Sequence, residues 1–308
     1  MAARNTLRRS LLYVPGSSQR FLDKSRSLAA DCLTYDLEDS VTPHMKAEAR
    51  TLVRRAIDLP TPSTIRERAV RINSVDSGLA LGDLTEVVNS ASDLTFVTDV
   101  ITHTLAQQPQ TSTPRPPISL LALIESAKSL TNLSGITAST PLLQGLIFAA
   151  EDFALDLSLT RTPSLTEFLF ARSAIATAAR AADLPSTIDL VCTSYKSDKA
   201  DGSPPAALEE ECRDGRRLGF NGKQCIHPTQ VKTANAIFGP DAEETKWAVR
   251  CVIADEKAAA QGRGAWTLDG KMIDVPVAEK ARAIVRKAEA CGFDVEGLRK
   301  EWQHQEPE

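Results

Sequence analysis

The sequence predicts an α/β protein built around a parallel sheet. Three observations carry this prediction. Short apolar runs of strand length recur over the first three quarters of the chain, segments with helical apolar spacing lie between them, and several runs finish in a charge. Strands alternating with helices form right-handed βαβ units, which set the strands side by side in parallel. In such a sheet the residues at the C-terminal strand ends gather on one face, where ligands bind.

The strand-like runs fall, in order, at residues 10–15, 32–38, 69–73, 118–125, 143–149, 188–193 and 222–227. The second closes in Asp36, Glu38 and Asp39, the third carries Arg71, and the fourth ends in Glu125. The fifth leads directly into Asp152. Helical spacing of apolar residues marks 21–29, 46–57, 127–136 and 165–182. After Phe238 the chain reads as helical, with a break over 261–270 and a final helix over 277–291. Seven strands approach the eight of a (β/α)8 barrel, and a doubly wound open sheet fits the same pattern. The weak region lies between Asn73 and Ile118. Leu94, Val97, Ile101 and Leu105 have helical spacing, and only the poor run 85–88 offers a strand. Residues 107–117, rich in Pro, Thr and Gln, read as a surface connection. The polar stretch 196–205 follows a strand end and reads equally as a lid or as a surface insertion.

Composition narrows the function classes. The chain has 308 residues, 42% hydrophobic and 25% charged, as expected of a globular protein with a large core. A formal net charge of −4 and no basic face argue against nucleic-acid binding. The apolar runs are too short to span a bilayer. The six cysteines contain no Cys-x-x-Cys pair and follow no secretory segment, which points to free thiols in a reducing compartment. The basic, acid-free start Met-Ala-Ala-Arg-Asn-Thr-Leu-Arg-Arg-Ser has the character of a mitochondrial presequence, but the first strand begins so soon after it that a cytoplasmic protein is expected.

The strand-end charges suggest chemistry. Glu125 and Asp152 are one helix and one strand apart, so adjacent strand ends would bring them together. Two carboxylates with remaining positions filled by water and substrate suit Mg²⁺; a salt bridge to a strand-end arginine is the competing role for Glu125. The four histidines, His44, His103, His227 and His304, lack zinc-ligand spacing. Arg71 offers a planar fork to a carboxylate or a developing enolate oxygen, or serves only as the partner of Glu38 or Asp39. Asp36 and Glu38 share a face of their strand and would hold Arg71 from behind. No Gly-x-Gly-x-x-Gly, P-loop or Gly-x-Ser-x-Gly pattern is present. Lys24, Lys46, Lys223 and Lys271 do not read as lying deep in apolar strands, so no Schiff-base lysine is expected. The turn from Pro15 to Arg20 could present backbone N–H groups to a phosphate, although a plain turn explains it as well.

These segments resemble a known family. Leu-Leu-Tyr-Val-Pro-Gly-Ser (11–17), Tyr-Asp-Leu-Glu-Asp-Ser-Val (35–41), Lys-Ala-Glu-Ala-Arg (46–50) and Val-Arg-Ile-Asn (70–73) are similar to motifs of the HpcH/HpaI aldolase family, in its citrate lyase β-subunit-like branch. So are Ile-Glu-Ser-Ala (124–127), Ala-Glu-Asp-Phe (150–153) and Gly-Lys-Gln-Cys-Ile-His-Pro (222–228), in the same order. The resemblance implies a (β/α)8 TIM barrel over residues 8–240, with a helical extension over 241–308 that reaches a neighbouring subunit in a homotrimer or hexamer. It implies a Mg²⁺-dependent carbon–carbon lyase that cleaves or forms a citryl-, malyl- or citramalyl-type CoA thioester from a 2-oxo acid and an acyl-CoA. A malate synthase-like or thioesterase activity at the same site is the alternative, and a non-catalytic barrel subunit is the third reading. By motif position, Glu125 and Asp152 would hold Mg²⁺, with Glu125 also at the substrate. Arg71 would polarise the carbonyl, while Asp36 and Glu38 orient these groups. Asp274, in Asp-Gly-Lys-Met-Ile-Asp (269–274), would be the acid/base, and Arg20, Phe21 and Lys24 would face CoA.

The chain also departs from the family pattern. Relatives carry a fourth strand ending in a Pro-Lys-Val-like motif, whereas here Asp83-Leu-Thr-Glu-Val-Val runs straight into Asn-Ser-Ala-Ser-Asp-Leu. The expectation is therefore a barrel whose fourth strand is short or missing, with impaired activity.

Overall fold

The computed structural model describes residues 7–74, 77–80, 82, 83, 98, 118–196 and 205–308. The chain divides into two compact units, Met1–Asn235 and Ala236–Glu308. The first unit holds seven strands: β1 (Ser10–Pro15), β2 (Cys32–Asp36), β3 (Glu67–Arg71), β4 (Leu120–Ile124), β5 (Leu143–Phe148), β6 (Ser186–Asp189) and β7 (Gly222–Cys225). Helices α1 (Gln19–Ser25), α2 (Lys46–Asp58), α3 (Ala127–Thr131), α4 (Leu133–Ala138), α5 (Ala150–Leu157), α6 (Leu169–Ala181) and α7 (Ala206–Arg217) lie between them, and α8 (Pro228–Phe238) follows β7.

The seven strands form one sheet in the order β3-β2-β1-β7-β6-β5-β4, and the pairs of known register are all parallel. The sheet curls on itself. Leu11 of β1, Cys32 of β2, Ile147 of β5 and Ile188 of β6 pack into one cluster, joined by Ala69 of β3 and by Leu121 and Leu123 of β4. Strands at opposite edges can share an inner core only if the sheet bends towards closure, as in a barrel. The α/β barrel class holds, and a flat doubly wound sheet does not. β3 and β4 are the two edges, so the place for an eighth strand lies between them in space and in sequence. The weak run at 85–88, the four apolar residues of helical spacing at 94, 97, 101 and 105 and the connection at 107–117 lie outside the described residues, as does most of the 196–205 loop.

Two strand ends differ from expectation. β2 stops at Asp36, so Glu38 and Asp39 sit in the following turn. β6 runs over Ser186–Asp189 rather than 188–193. The lysine expectation is corrected as well. Lys223 is fully buried in β7, and Lys46, at the start of α2, is buried too. Apolar periodicity could not show this, because each ammonium is satisfied by backbone and side-chain oxygens that only the fold supplies. Lys223 donates to Leu190 O (3.0 Å) and Glu211 Oε2 (3.0 Å). Arg172 of α6 is similarly buried against Asp189 at the end of β6, with Nε–Oδ1 3.1 Å and Nη2–Oδ2 2.7 Å.

The second unit has its own core. Helices α9 (Ala242–Ala260), α10 (Val275–Cys291) and α11 (Val295–Glu301) pack with a hairpin of β8 (Trp266–Leu268) and β9 (Lys271–Ile273), burying Val252, Trp266, Leu268, Ile273 and Val285. The expected break over 261–270 is therefore half hairpin. Its turn sets Asp269 at φ 50° and Gly270 at φ 72°, the left-handed pair a tight hairpin needs. An Asp-Gly flanked by Trp-Thr-Leu and Lys-Met-Ile was the signal for it. No described helix is long and apolar enough to cross a membrane.

Candidate functional site

Register brings the first two groups together. Pro15 pairs with Asp36 and Asp36 with Arg71, so three adjacent strands end level. Arg71 Nε donates to Asp36 Oδ1 (2.8 Å) and Nη2 to Oδ2 (2.7 Å), a two-pronged fit of fork to carboxylate. Asp36 also accepts from Glu38 N (2.9 Å), Ser40 N (3.1 Å) and Ser40 Oγ (2.6 Å). Burial alone would raise its pKa. The Arg71 hydrogen bonds and charge, with those from Ser40 and Glu38, outweigh burial and hold it below the usual range.

The outer nitrogen of Arg71 points the other way. Nη1 lies 2.6 Å from Asp39 Oδ2 and 3.1 Å from Glu38 Oε2. The guanidinium sits 4.8 Å from the centre of the Tyr13 ring. Tyr13 donates to Gln224 Oε1 (3.0 Å), and Gln224 Nε2 donates to Phe148 O (2.8 Å) and Asp189 O (3.2 Å). This Tyr13–Gln224 support was missed in the sequence, where an alternating strand gives no hint that an inward tyrosine meets a glutamine six strands later in chain order.

The other two acids come from the opposite side of the sheet order. Ile124 pairs with Phe148, and Ala149 N donates to Ile124 O (3.1 Å), so Glu125 and the start of α5 emerge side by side. Glu125 precedes Ser126, which caps α3 by accepting from Ser129 N (3.1 Å). Asp152 lies in the first turn of α5. Burial raises the Glu125 carboxyl, and the negative charges of Asp152 and Asp39 raise it further against the pull of Arg71. Burial and Asp39 likewise raise Asp152. Glu38 is pushed up to about 7 by burial, against Arg71, with Asp39, Glu125 and Asp36 adding. The electrostatics thus join Asp36, Glu38, Asp39, Glu125 and Asp152 around one arginine.

This donor set fits a hard cation. Glu125 and Asp152 offer oxygen only, and their mutual repulsion is relieved by positive charge. Among the described residues no three Asp, Glu, His or Cys side chains form a ready cage, so a metal here would take its other ligands from water and substrate. A further missed network lies beside Asp152 in the chain, at Glu151. Arg161 pairs with Glu151, donates to Val191 O (3.1 Å) and reaches Glu211 (3.0 Å), the residue that holds Lys223.

The remaining candidates are carried by other elements. Arg20, Phe21 and Lys24 are exposed on α1, which begins where β1 ends, while Leu22 of the same helix is buried. Asp274 belongs to the second unit, where its carboxylate caps α10 by accepting from Val277 N (3.2 Å).

A curled parallel α/β sheet with an acid–arginine cluster at its C-terminal strand ends defines a class of α/β-barrel proteins. Within it, the family model for HpcH/HpaI aldolase/citrate lyase matches residues 9–228, and the chain belongs to this family. The citrate lyase subunit beta of Escherichia coli K12 is 34% identical over 295 residues, which cover 93% of this chain and 95% of that protein. The (3S)-malyl-CoA thioesterase of Cereibacter sphaeroides (strain ATCC 17025) is 34% identical over 282 residues, with 92% and 95% covered. Among solved structures, CitE from Mycobacterium tuberculosis in complex with magnesium, acetoacetate and coenzyme A superposes with a TM-score of 0.68 at 26% identity, covering 92% of this chain and 99% of that one.

Proposed function

We propose that this protein is a Mg²⁺-dependent carbon–carbon lyase that cleaves or forms a citryl-, malyl- or citramalyl-type CoA thioester, with a 2-oxo acid and an acyl-CoA as the other side of the reaction. The observation that carries the reading is the electrostatic coupling of Glu125 and Asp152 to Arg71 at the C-terminal side of the curled sheet, in a member of a family whose similar solved structure holds magnesium, acetoacetate and coenzyme A.

In cleavage, the substrate hydroxyl loses its proton and becomes a carbonyl. The adjacent C–C bond breaks, its electron pair passes to the thioester as an enolate, and the enolate then takes up a proton at carbon. Glu125 and Asp152 would hold Mg²⁺, which supplies a Lewis acid at the 2-oxo acid oxygens. Arg71 donates to the oxygen whose charge changes. Its fork is already fixed on Asp36, so little reorganisation accompanies the reaction. Asp39, the most exposed partner of Arg71, gives up Nη1 to the substrate, and Glu38 orients the pair. Asp274 is the acid/base at the thioester α-carbon, supplied by residues 241–308 of a neighbouring copy in a homotrimer or hexamer. Arg20, Phe21 and Lys24 face the CoA moiety. Six free cysteines fit a reducing compartment, and we place the protein in the cytoplasm, with the mitochondrial matrix as the alternative.

Titration calorimetry with Mg²⁺ and glyoxylate or oxaloacetate tests the site. Metal-dependent binding is expected in the unmutated protein and is lost in Glu125→Ala and Asp152→Ala. No such binding in the unmutated protein would instead indicate a barrel without catalysis. Mass spectrometry of products from malyl-, citramalyl- and citryl-CoA identifies the substrate. The same experiment decides a second reading, favoured by the similar malyl-CoA thioesterase. A lyase yields a 2-oxo acid and an acyl-CoA, whereas a thioesterase yields the free hydroxy acid and CoA.

A further inference from the structure

We propose that Lys46 is a positioning residue for the arginine half of the site, acting by clamping the turn that carries Glu38 and Asp39. The inference rests on the lyase reading above and adds a residue to it.

Lys46 opens α2, and its buried ammonium reaches the back of the site turn. Its donors meet Leu37 O (2.7 Å), Glu38 O (2.8 Å) and Asn73 Oδ1 (2.6 Å). An ammonium has three N–H groups, so all three are engaged. Among the described residues no carboxylate pairs with Lys46. A buried cation satisfied by carbonyl dipoles adds little stability beyond an apolar side chain of the same size. What it contributes is direction: it fixes the peptide planes on both sides of Glu38.

The clamp spans two strands. Asn73 lies two residues beyond Arg71, and its Nδ2 donates to Leu37 O (2.9 Å) and to Asp83 Oδ2 (2.6 Å). Asn73 N also donates to Asp83 Oδ2 (2.7 Å). Asp83, fully buried, receives Arg50 Nε (2.7 Å), one helical turn along α2 from Lys46. Leu37 N donates to Arg71 O (2.9 Å), and Glu38 N is held by Asp36. With both carbonyls of Leu37 and Glu38 and both of their N–H groups engaged, the turn has one way to present Glu38 and Asp39 to Nη1 of Arg71. Glu125 and Asp152 are carried by β4 and α5 and do not depend on this clamp.

The test compares Lys46→Met with the unmutated protein. Lys46→Met is expected to lower kcat by about tenfold or more, as misplacement of a catalytic constellation does. The Mg²⁺ dissociation constant should stay within about twofold. In a double-mutant cycle, Lys46→Met and Glu38→Gln should be strongly non-additive in kcat, because the first acts through the second. Amide hydrogen exchange at residues 37–40 should accelerate while that of β5 and β6 is unchanged. Additive effects, or a loss of Mg²⁺ affinity matching the loss of kcat, would show a merely structural role and overturn the proposal. If Lys46→Met does not fold, Asn73→Ala removes one arm of the same clamp and is read in the same way. An unmutated protein inactive on every thioester would overturn the lyase reading, and exchange at 37–40 would still decide whether Lys46 holds the turn.

Discussion

Asp36 commits its carboxylate to five hydrogen bonds, two of them from Arg71 and the others from Ser40 and Glu38. A carboxylate so occupied has no room for a metal, which supports our proposal that Glu125 and Asp152, rather than this acid, hold it. It also makes Arg71 a rigid donor. Lysine at position 71 would keep the charge but could not span both Asp36 oxygens and still present a nitrogen to substrate. Arg71→Lys is therefore expected to lower kcat/KM by about 100-fold or more, the scale of losing one oriented oxyanion donor. Steady-state kinetics checks this, and a melting temperature near that of the unmutated protein would separate the effect from misfolding.

At the scale of elements, the strands matter because their ends are level. Gly222 begins β7 where it meets the segment leading into β1. A Cβ there would lie 1.9 Å from Arg8 O, a backbone atom that cannot swing aside. Gly222→Ala should destabilise the protein by about 1–3 kcal/mol, the usual cost of overpacking, measured as a lower urea midpoint with unchanged slope. Much of this layer was legible in the sequence. Ser10–Pro15 and the starts of β2 and β7 follow from short apolar runs and turn residues. The boundary after Asp36 was not legible, because Leu37 continues the apolar pattern although its N–H pairs with Arg71 O and its carbonyl receives Lys46. The β8–β9 hairpin was legible in its Asp-Gly turn, but a polar, glycine-rich stretch between two helices reads as a break unless the alternation on both sides is weighed.

For the whole molecule, the acidic cluster couples stability to pH and metal. The carboxyl of Glu38 is pushed up to about 7 in the fold, from an ordinary value of 4.5. Between those values the folded protein keeps a proton that the unfolded chain has lost. Stability from this group therefore falls as pH rises from about 4.5 to about 7 and levels off above. Glu125 and Asp152, both raised, act in the same direction. Without metal, the melting temperature should decline across that window, and the decline should be shallower in Glu38→Gln. Mg²⁺ should raise the melting temperature more as pH rises through that window, because a carboxylate binds metal in its ionised form, through preferential binding to the folded state. Scanning calorimetry across pH with and without Mg²⁺ checks each point, and a flat profile without metal would show that these acids do not share a field.

The sequence by itself determined the parallel α/β class, the order of the seven described strands and the family motifs. The class and the chain order of the strands rest on local periodicity, the family rests on the likeness of its motifs, and each strand-end charge is placed by the run that precedes it. Only the tertiary structure decided what those charges meet. It decided that Arg71 divides its fork between Asp36 and the Glu38–Asp39 turn, that Tyr13 and Gln224 lie beneath it, and that Lys46, Lys223 and Arg161 are inner braces rather than surface cations. The physical reason is that a buried charge is tolerated only where partners distant in sequence converge on it. Convergence belongs to the curled sheet, not to any single segment of the chain.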